Sequence, residues 1–426
     1  MRKWVFALLA VVLALRCAVS FGTDLYFDEA YYSLWGRSLA FGYFDHAPLI
    51  AWLLALLPPR PLALGIGGLT VFAVYWVAKR VHRSAAAAEN AAVIFAAAPL
   101  AQLAGVFATP DTPLLLFWTL ALGALLAEKP MKAGLAGGLA LLSKYTAVLL
   151  FPVRVLAAIR ERKPWLGPTL QAGAVGFLLF LPVVLWNAQR DWVGFRFQLG
   201  HGFVGHGGWR TLAEYILGQF FLGGPALFAW TAWWIAKGPA EERLLRISSA
   251  VPLLFFAVSA LRARGEANWP AMAYVGSAVA MGAAPRKWVV SAALTGLVVS
   301  VIGAGLVLHD PGPGTARTPF VRTQGWSSLK ALQARGAQAA FAPSYALASE
   351  IAYYAKLPVG VVGSRRPTQF DLWPPPALLP GETAIWVSES EIPPESLTSS
   401  FESVVGPTIL VGGPHRFQIW RLENKR

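Results

Sequence analysis

Residues 24–57 read DLYFDEAYYSLWGRSLAFGYFDHAPLIAWLLALL. Four carboxylates, Asp24, Asp28, Glu29 and Asp45, are interleaved there with Tyr and Phe. On either side run largely apolar stretches, 4–21, which holds Arg16, and 62–78, each close to the roughly 20 residues a membrane helix needs. The quoted segment is therefore a loop, 22–61, between two spans. Adjacent carboxylates at a membrane surface are costly unless water, a metal or a cationic substrate meets them. The plainer alternative is a solvated loop with Asp28 capping a helix N-terminus. Leu49–Leu57 is apolar but too short to span, and predicts an interfacial helix.

The rest of the chain agrees with a polytopic membrane protein. Of 426 residues, 56% are hydrophobic and only 14% charged, with a mean hydropathy of +0.52. Soluble domains carry roughly 25% charged residues, and disorder demands low hydrophobicity, so both classes are excluded. The net charge of +14 reads as Lys and Arg held in cytoplasmic loops, not as a nucleic-acid footprint. Cys17 is the one cysteine, which excludes an intramolecular disulfide and any Cys-rich metal site.

Apolar runs and charge clusters predict about eleven spans, near 4–21, 62–78, 90–107, 113–127, 132–143, 145–159, 165–186, 215–236, 247–261, 270–284 and 288–308. With the N-terminus cytoplasmic, the inner turns carry Lys79-Arg80-Arg83, Lys129-Lys132, Arg160-Arg162-Lys163, Lys237-Arg243-Arg246 and Arg286-Lys287, as the positive-inside bias requires. That regularity holds only if 132–159 is two short spans broken at Ser143-Lys144-Tyr145-Thr146. All seven aspartates, Asp24, Asp28, Asp45, Asp111, Asp191, Asp310 and Asp371, then fall outside. From residue 309 a Pro-Gly linker, 310–314, leads into a segment with no spanning run. Helical periodicity at Ser327–Arg335 and Ala346–Lys356, and strand-like runs at Val359–Val362, Ala384–Ser388 and Phe417–Leu422, predict a small extracytoplasmic α/β domain over 309–426. Residues 1–308 form the membrane domain.

The string DEAYYSLWGRSLAFGYFDHAPLIAWLLAL, from Asp28, resembles the first-loop signature of GT-C glycosyltransferases. It is similar to the bacterial branch related to protein O-mannosyltransferases and the lipid A aminoarabinose transferase. The resemblance continues at ATPDTPLLLFWTLAL (108–122), GLALLSKYTAVLLFP (138–152), WNAQRDWVGFRFQLGHGF (186–203) and EANWPAMAY (266–274), and in the tail at RTQGWSSL and YALASEIAYYAKLP. It implies a GT-C fold in a bacterial inner membrane. It also implies transfer of a sugar from a polyprenyl-phosphate donor to a lipid, glycan or protein hydroxyl at the extracytoplasmic face. A transporter or flippase of the same lipid-linked sugars is the alternative.

The resemblance puts the early acidic residue of the family at Asp28, as general base, with Glu29 orienting it or binding a cation. Base catalysis of that kind is worth about 10²–10⁴-fold. Asp111 matches a second acidic position and reads equally as an N-cap. The leaving phosphate needs cations in a dry cleft. Lys144, alone at membrane depth, is the first candidate, against simple snorkelling. His46 stands where the aminoarabinose branch carries lysine. Arg190, Arg196 and His201 are further phosphate candidates, against a basic loop meeting anionic lipid. Tyr31, Tyr32, Asp45, Glu266 and Asn268 are the expected sugar or acceptor contacts, with a polar turn before Trp269 the alternative for the last two. The six histidines show no metal-ligand spacing. A divalent cation is left open, no metal site is assigned and no cofactor is expected with certainty.

Overall fold

The computed structural model describes residues 2–159, 166–309, 312, 322–364 and 366–426. The cluster Arg160-Glu161-Arg162-Lys163 and, apart from Gly312, the linker 310–314 lie outside the described residues. In chain order the helices are α1 (Lys3–Gly22), α2 (Phe27–Gly36), α3 (Leu49–Leu54), α4 (Pro59–His82), α5 (Ala85–Ala97), α6 (Pro99–Val106), α7 (Asp111–Leu126) and α8 (Pro130–Ser143). Next come α9 (Leu150–Ile159), α10 (Leu166–Ala188), α11 (Val193–Phe203), α12 (Trp209–Gly223), α13 (Pro225–Lys237), α14 (Arg243–Arg262), α15 (Ala273–Met281) and α16 (Arg286–Leu308).

Each expected span has a helix at its position, yet the count of eleven is not reproduced by length. Among the described residues five helices are long and apolar enough to cross a membrane, or up to seven if each bent pair counts as one. Local chemistry makes the breaks. Pro99 has no N–H to give and disfavours helix at Ala98, so α5 and α6 meet at 70°. Gly224, at φ 89°, and Pro225 turn α12 into α13 by 113°. Lys144 is extended, at φ −156° and ψ 133°, between α8 and a 3-10 turn, Tyr145–Leu149, that leads into α9. The run 132–159 is thus broken where Ser143-Lys144-Tyr145 predicted.

The chain divides into two compact units. The first comprises Met1–Ala18, Phe41–Ile50 and Arg60–Ala304, and the second Val19–Ala40, Ala51–Pro59 and Gly305–Arg426. Parts of the first loop therefore group with the tail, whose share of the second unit begins at Gly305.

In the first unit small residues let helices approach closely, the usual substitute for hydrophobic driving force in lipid. On α8 a Cβ at Gly134 would run into the Ala172 carbonyl, and one at Gly138 would sit 2.8 Å from Leu179 on α10. Gly134→Ala is expected to lower stability by about 1–3 kcal/mol, the usual cost of overpacking. Thermal unfolding in detergent measures it, and an unchanged transition would contradict this packing. The interior of the unit is built from α4 to α9 and α12 to α16, with Trp118, Trp234, Tyr274, Leu114 and Leu115 almost fully buried.

The second unit carries a five-stranded mixed sheet of β1 (Ala339–Ala342), β2 (Val359–Val361), β3 (Ala384–Ser388), β4 (Phe401–Gly412) and β5 (His415–Lys425), in the order β2-β1-β3-β5-β4. β1 pairs in parallel with β2 and β3, and β5 antiparallel with β3 and β4. Helix α17 (Tyr345–Tyr354) packs on β1 and β2, and α2 of the first loop packs on α17. One core gathers Trp326, Leu329, Leu347, Ile351, Ile385, Phe417 and Ile419, and another Phe341, Trp386, Leu397, Phe401 and Leu422.

Candidate active site

Two polar centres stand out, one in each unit. In the second unit, α2 opens Phe27-Asp28-Glu29 after Tyr26. Glu29 is fully buried, and its Oε2 accepts the Tyr26 N–H at 3.0 Å, the reach-back half of a capping box. That bond fixes the first turn on which Asp28 stands. Asp28 is half-buried, and the Tyr345 hydroxyl at the start of α17 donates to its Oδ1 at 3.3 Å. Tyr31 is buried, and its hydroxyl accepts the Gln369 N–H at 2.7 Å. Tyr31 and Tyr32 both lie edge-on to Trp35, at 4.9 and 4.8 Å between centroids, so the face of α2 that they share is packed. Asp24 Oδ2 accepts the Ser327 N–H at 3.0 Å, and the Tyr354 hydroxyl accepts the Leu25 N–H at 3.0 Å. Burial pushes the Tyr354 phenol up, with Asp24 and Glu350 adding to the rise, so this tie stays neutral.

In the first unit, Asp111 begins α7 but does not cap it. Its Oδ1 accepts from Lys144 Nζ at 2.8 Å and its Oδ2 from Asn268 Nδ2 at 2.7 Å. Lys144 is 6% exposed and Asp111 7%, so this is a buried ion pair. The break after α8 presents the lysine, because an extended residue between two helical turns turns its side chain off the helix surface. Thr112, next to Asp111, donates its hydroxyl to the Ala104 and Phe107 carbonyls at 2.9 and 2.8 Å and closes the turn before α7.

Around residues 42–46 the same unit makes a second arrangement. Gly42 lies flat on Trp186, where a Cβ would come within 2.5 Å of the ring. Asp45 is buried, at 4% exposure. The Gln198 amide donates to the Asp45 carbonyl and lies 3.4 Å from His46 Nδ1. Asn187, fully buried, holds the turn from α10 to α11. Its Oδ1 accepts the Gly194 and Phe195 N–H groups at 3.0 and 3.3 Å, and its Nδ2 donates to the Val183 carbonyl at 3.0 Å. Asp191 and Trp192, at φ 51° and 57°, carry the reversal.

Of the remaining candidates, Arg190 lies over Trp186 at 4.7 Å, Arg196 is exposed, and His201 stacks on Phe197 at 5.5 Å and meets Trp269 at 5.3 Å. Glu266 is exposed, two residues before Asn268. Sequence reasoning missed Arg60, Asn187, Gln198 and Tyr345. Arg60, between Pro59 and Pro61, is 6% exposed and lies over the Phe107 ring at 4.8 Å. A cation wedged between prolines at the head of an apolar run was the available signal. Among the described residues no group of three or more His, Cys, Asp or Glu is placed to hold a metal ion.

Asn187→Ala is expected to cost about 1–3 kcal/mol, because the buried Gly194 N–H and the half-buried Phe195 N–H lose their acceptor. It should also expose 188–208 to limited proteolysis. An Ala variant as resistant as the wild type would contradict the assigned tie.

Residues 60–186 match the family described as dolichyl-phosphate-mannose-protein mannosyltransferase. The lipid A galacturonosyltransferase RgtD of Rhizobium johnstonii is 27% identical over 303 residues, 62% of each chain. The match thus spans less than two thirds of that relative's length. Among solved structures, ArnT from Cupriavidus metallidurans in the apo state superposes with a TM-score of 0.68 at 16% identity, over 98% of this chain and 97% of that one. The same enzyme bound to undecaprenyl phosphate gives 0.63 at 15% identity, over 98% of each. The chain has an ArnT-like GT-C fold. That fold covers the membrane helices and the α/β tail alike, and its multi-pass membrane character accords with the apolar helices of the first unit.

Proposed function

We propose that the chain is an integral membrane glycosyltransferase. It moves a sugar from a polyprenyl-phosphate donor to an acceptor hydroxyl at the extracytoplasmic face of a bacterial inner membrane, its N-terminus cytoplasmic and its α/β domain outside. The observation that carries this reading is the buried Lys144–Asp111–Asn268 cluster. Ionisable side chains at such depth are expensive and mark a working site in a membrane protein. The named relatives support it, being a lipid A galacturonosyltransferase and ArnT, the latter with a structure bound to undecaprenyl phosphate.

In this reading Asp28 takes the proton of the acceptor hydroxyl as its oxygen bonds to the anomeric carbon. The bond from that carbon to the phosphate oxygen breaks, and polyprenyl phosphate leaves with the electron pair. Lys144 spends one of its three N–H donors on Asp111 and offers the others to the leaving phosphate, where charge grows. Asp111 and Asn268 hold the ammonium in place. His46, Arg190, Arg196 and His201 are secondary phosphate contacts. Glu29 and Tyr31 fix α2, while Tyr32, Asp45 and Glu266 complete the sugar and acceptor surroundings. Lipid A is the acceptor to try first.

The test supplies purified protein in lipid with labelled undecaprenyl-phosphate galacturonic acid or aminoarabinose, and lipid A. Labelled lipid A from either donor is the expected product and names the sugar. Donor that changes leaflet with no transfer to lipid A, a glycan or a protein would overturn the reading in favour of a flippase.

A further inference from the structure

Arg16 lies in the C-terminal half of α1, a helix that is otherwise apolar enough to cross a membrane, and is only 4% exposed. Its Nε donates to Gln102 Oε1 and its Nη2 to the Ala101 carbonyl, both at 2.9 Å. Among the described residues no carboxylate pairs with it. The guanidinium fills a notch that only glycine permits. A Cβ at Gly105 on α6 would lie 2.6 Å from Nη1, and one at Gly67 on α4 3.0 Å from the same atom.

Closing the α5–α6 bend does not require this charge. The Gln102 amide donates to the Ala96 carbonyl at 2.9 Å and the Ser300 hydroxyl to the Ala97 carbonyl at 3.1 Å, so neutral donors already serve the break. A buried cation without a counter-ion costs several kcal/mol, whereas one that meets an anion in an apolar setting gains much of that back. The anion has to arrive on a lipid, since α1 turns Phe6, Leu13 and Phe21 outward at 64%, 57% and 72% exposure and a free aqueous ion has no reason to enter there. A second buried guanidinium, Arg60, stands on Phe107 just beyond Gly105, so α6 ends between two cations.

We infer that Arg16 is a binding residue for a lipid-borne phosphate, the polyprenyl phosphate of the donor or the phosphate of a bilayer phospholipid. The first source rests on the function proposed above.

Retention of undecaprenyl phosphate and, separately, of phosphatidylglycerol is measured by native mass spectrometry on wild-type, Arg16→Gln, Arg16→Lys and Gly105→Ala proteins. Arg16→Gln, which keeps the carbonyl capping and drops the charge, is expected to weaken undecaprenyl phosphate about tenfold, the worth of one charge-assisted hydrogen bond. Arg16→Lys should keep most of the binding. Gly105→Ala, which crowds the guanidinium without removing it, should lose several-fold. A loss confined to phosphatidylglycerol would support the site and assign its lipid as a bilayer phospholipid. Equal retention of both lipids by Arg16→Gln and Gly105→Ala would overturn the inference. If the wild type captures no undecaprenyl phosphate, the donor reading fails, and the phosphatidylglycerol arm still decides Arg16.

Discussion

Asp28→Asn is expected to lower kcat for sugar transfer by about 10²–10⁴-fold, the range a positioned general base supplies. The substitution is nearly isosteric, and an Asn side-chain carbonyl still accepts from Tyr345, which lies 3.3 Å from the present carboxylate. Folding should therefore be preserved and donor binding change little, so the loss falls on kcat and not on KM. That split is the discriminating readout, because a disordered α2 would raise KM and loosen the unit as well. Transfer by the Asn variant at the wild-type rate would remove Asp28 from the base role. Tyr345→Phe makes a milder companion, since it deletes one donor and leaves the carboxylate in place.

The second large effect is at the buried pair. Lys144→Met leaves the Asp111 carboxylate buried with Asn268 as its remaining partner, and Asp111→Asn leaves the ammonium without its counter-charge. Each single variant is expected to destabilise by about 3–5 kcal/mol, the cost of an uncompensated buried charge. The double variant should recover most of that stability, since no charge is left buried. Catalysis separates the two roles, as transfer should be lost in Lys144→Met and equally in the double variant, where the phosphate meets no cation. Thermal unfolding and transfer rates on the four proteins form a double-mutant cycle. Single variants that each cost less than about 1 kcal/mol would show the pair to be solvated, in the range of surface ion pairs.

Much of the architecture was legible because it follows from local chemistry. The break at Lys144 could be read from the alternation of basic turns, and β2, β3, β5 and α17 from side-chain periodicity. β1 was not legible. Its sequence, Ala339-Ala-Phe-Ala342, is buried on both faces and offers no alternation, and alanine has little strand preference. β4 was hidden by Gly406-Pro407 in its middle, where the pairing with β5 shifts register. The count of eleven full spans is not reproduced by helix length, because a hydropathy run does not say whether its helix is bent or short. Pro99 and Gly224-Pro225 convert two such runs into bent pairs.

The candidate site shows the same division. Asp28, Glu29, Asp111 and Lys144 could be picked out from composition and a family resemblance, since charges are rare in this chain and these stand in or beside apolar runs. Which of them pair with which could not. Lys144 is 33 residues from Asp111 and Asn268 is 157, Tyr345 is 317 from Asp28, and the glycine notch around Arg16 is made by two other helices. Hydropathy and net charge are sums along the chain, so the sequence by itself determined a basic, multi-helical membrane protein with acids gathered in its loops. Whether a given carboxylate caps a helix, pairs with a lysine or is left for a substrate depends on which groups stand within about 3 Å of it. Glu29 bonds its own helix start, and Asp111 turned away from that role to a lysine. Only the tertiary structure decided this, because the competing partners lie near one another in space and nowhere near one another in sequence.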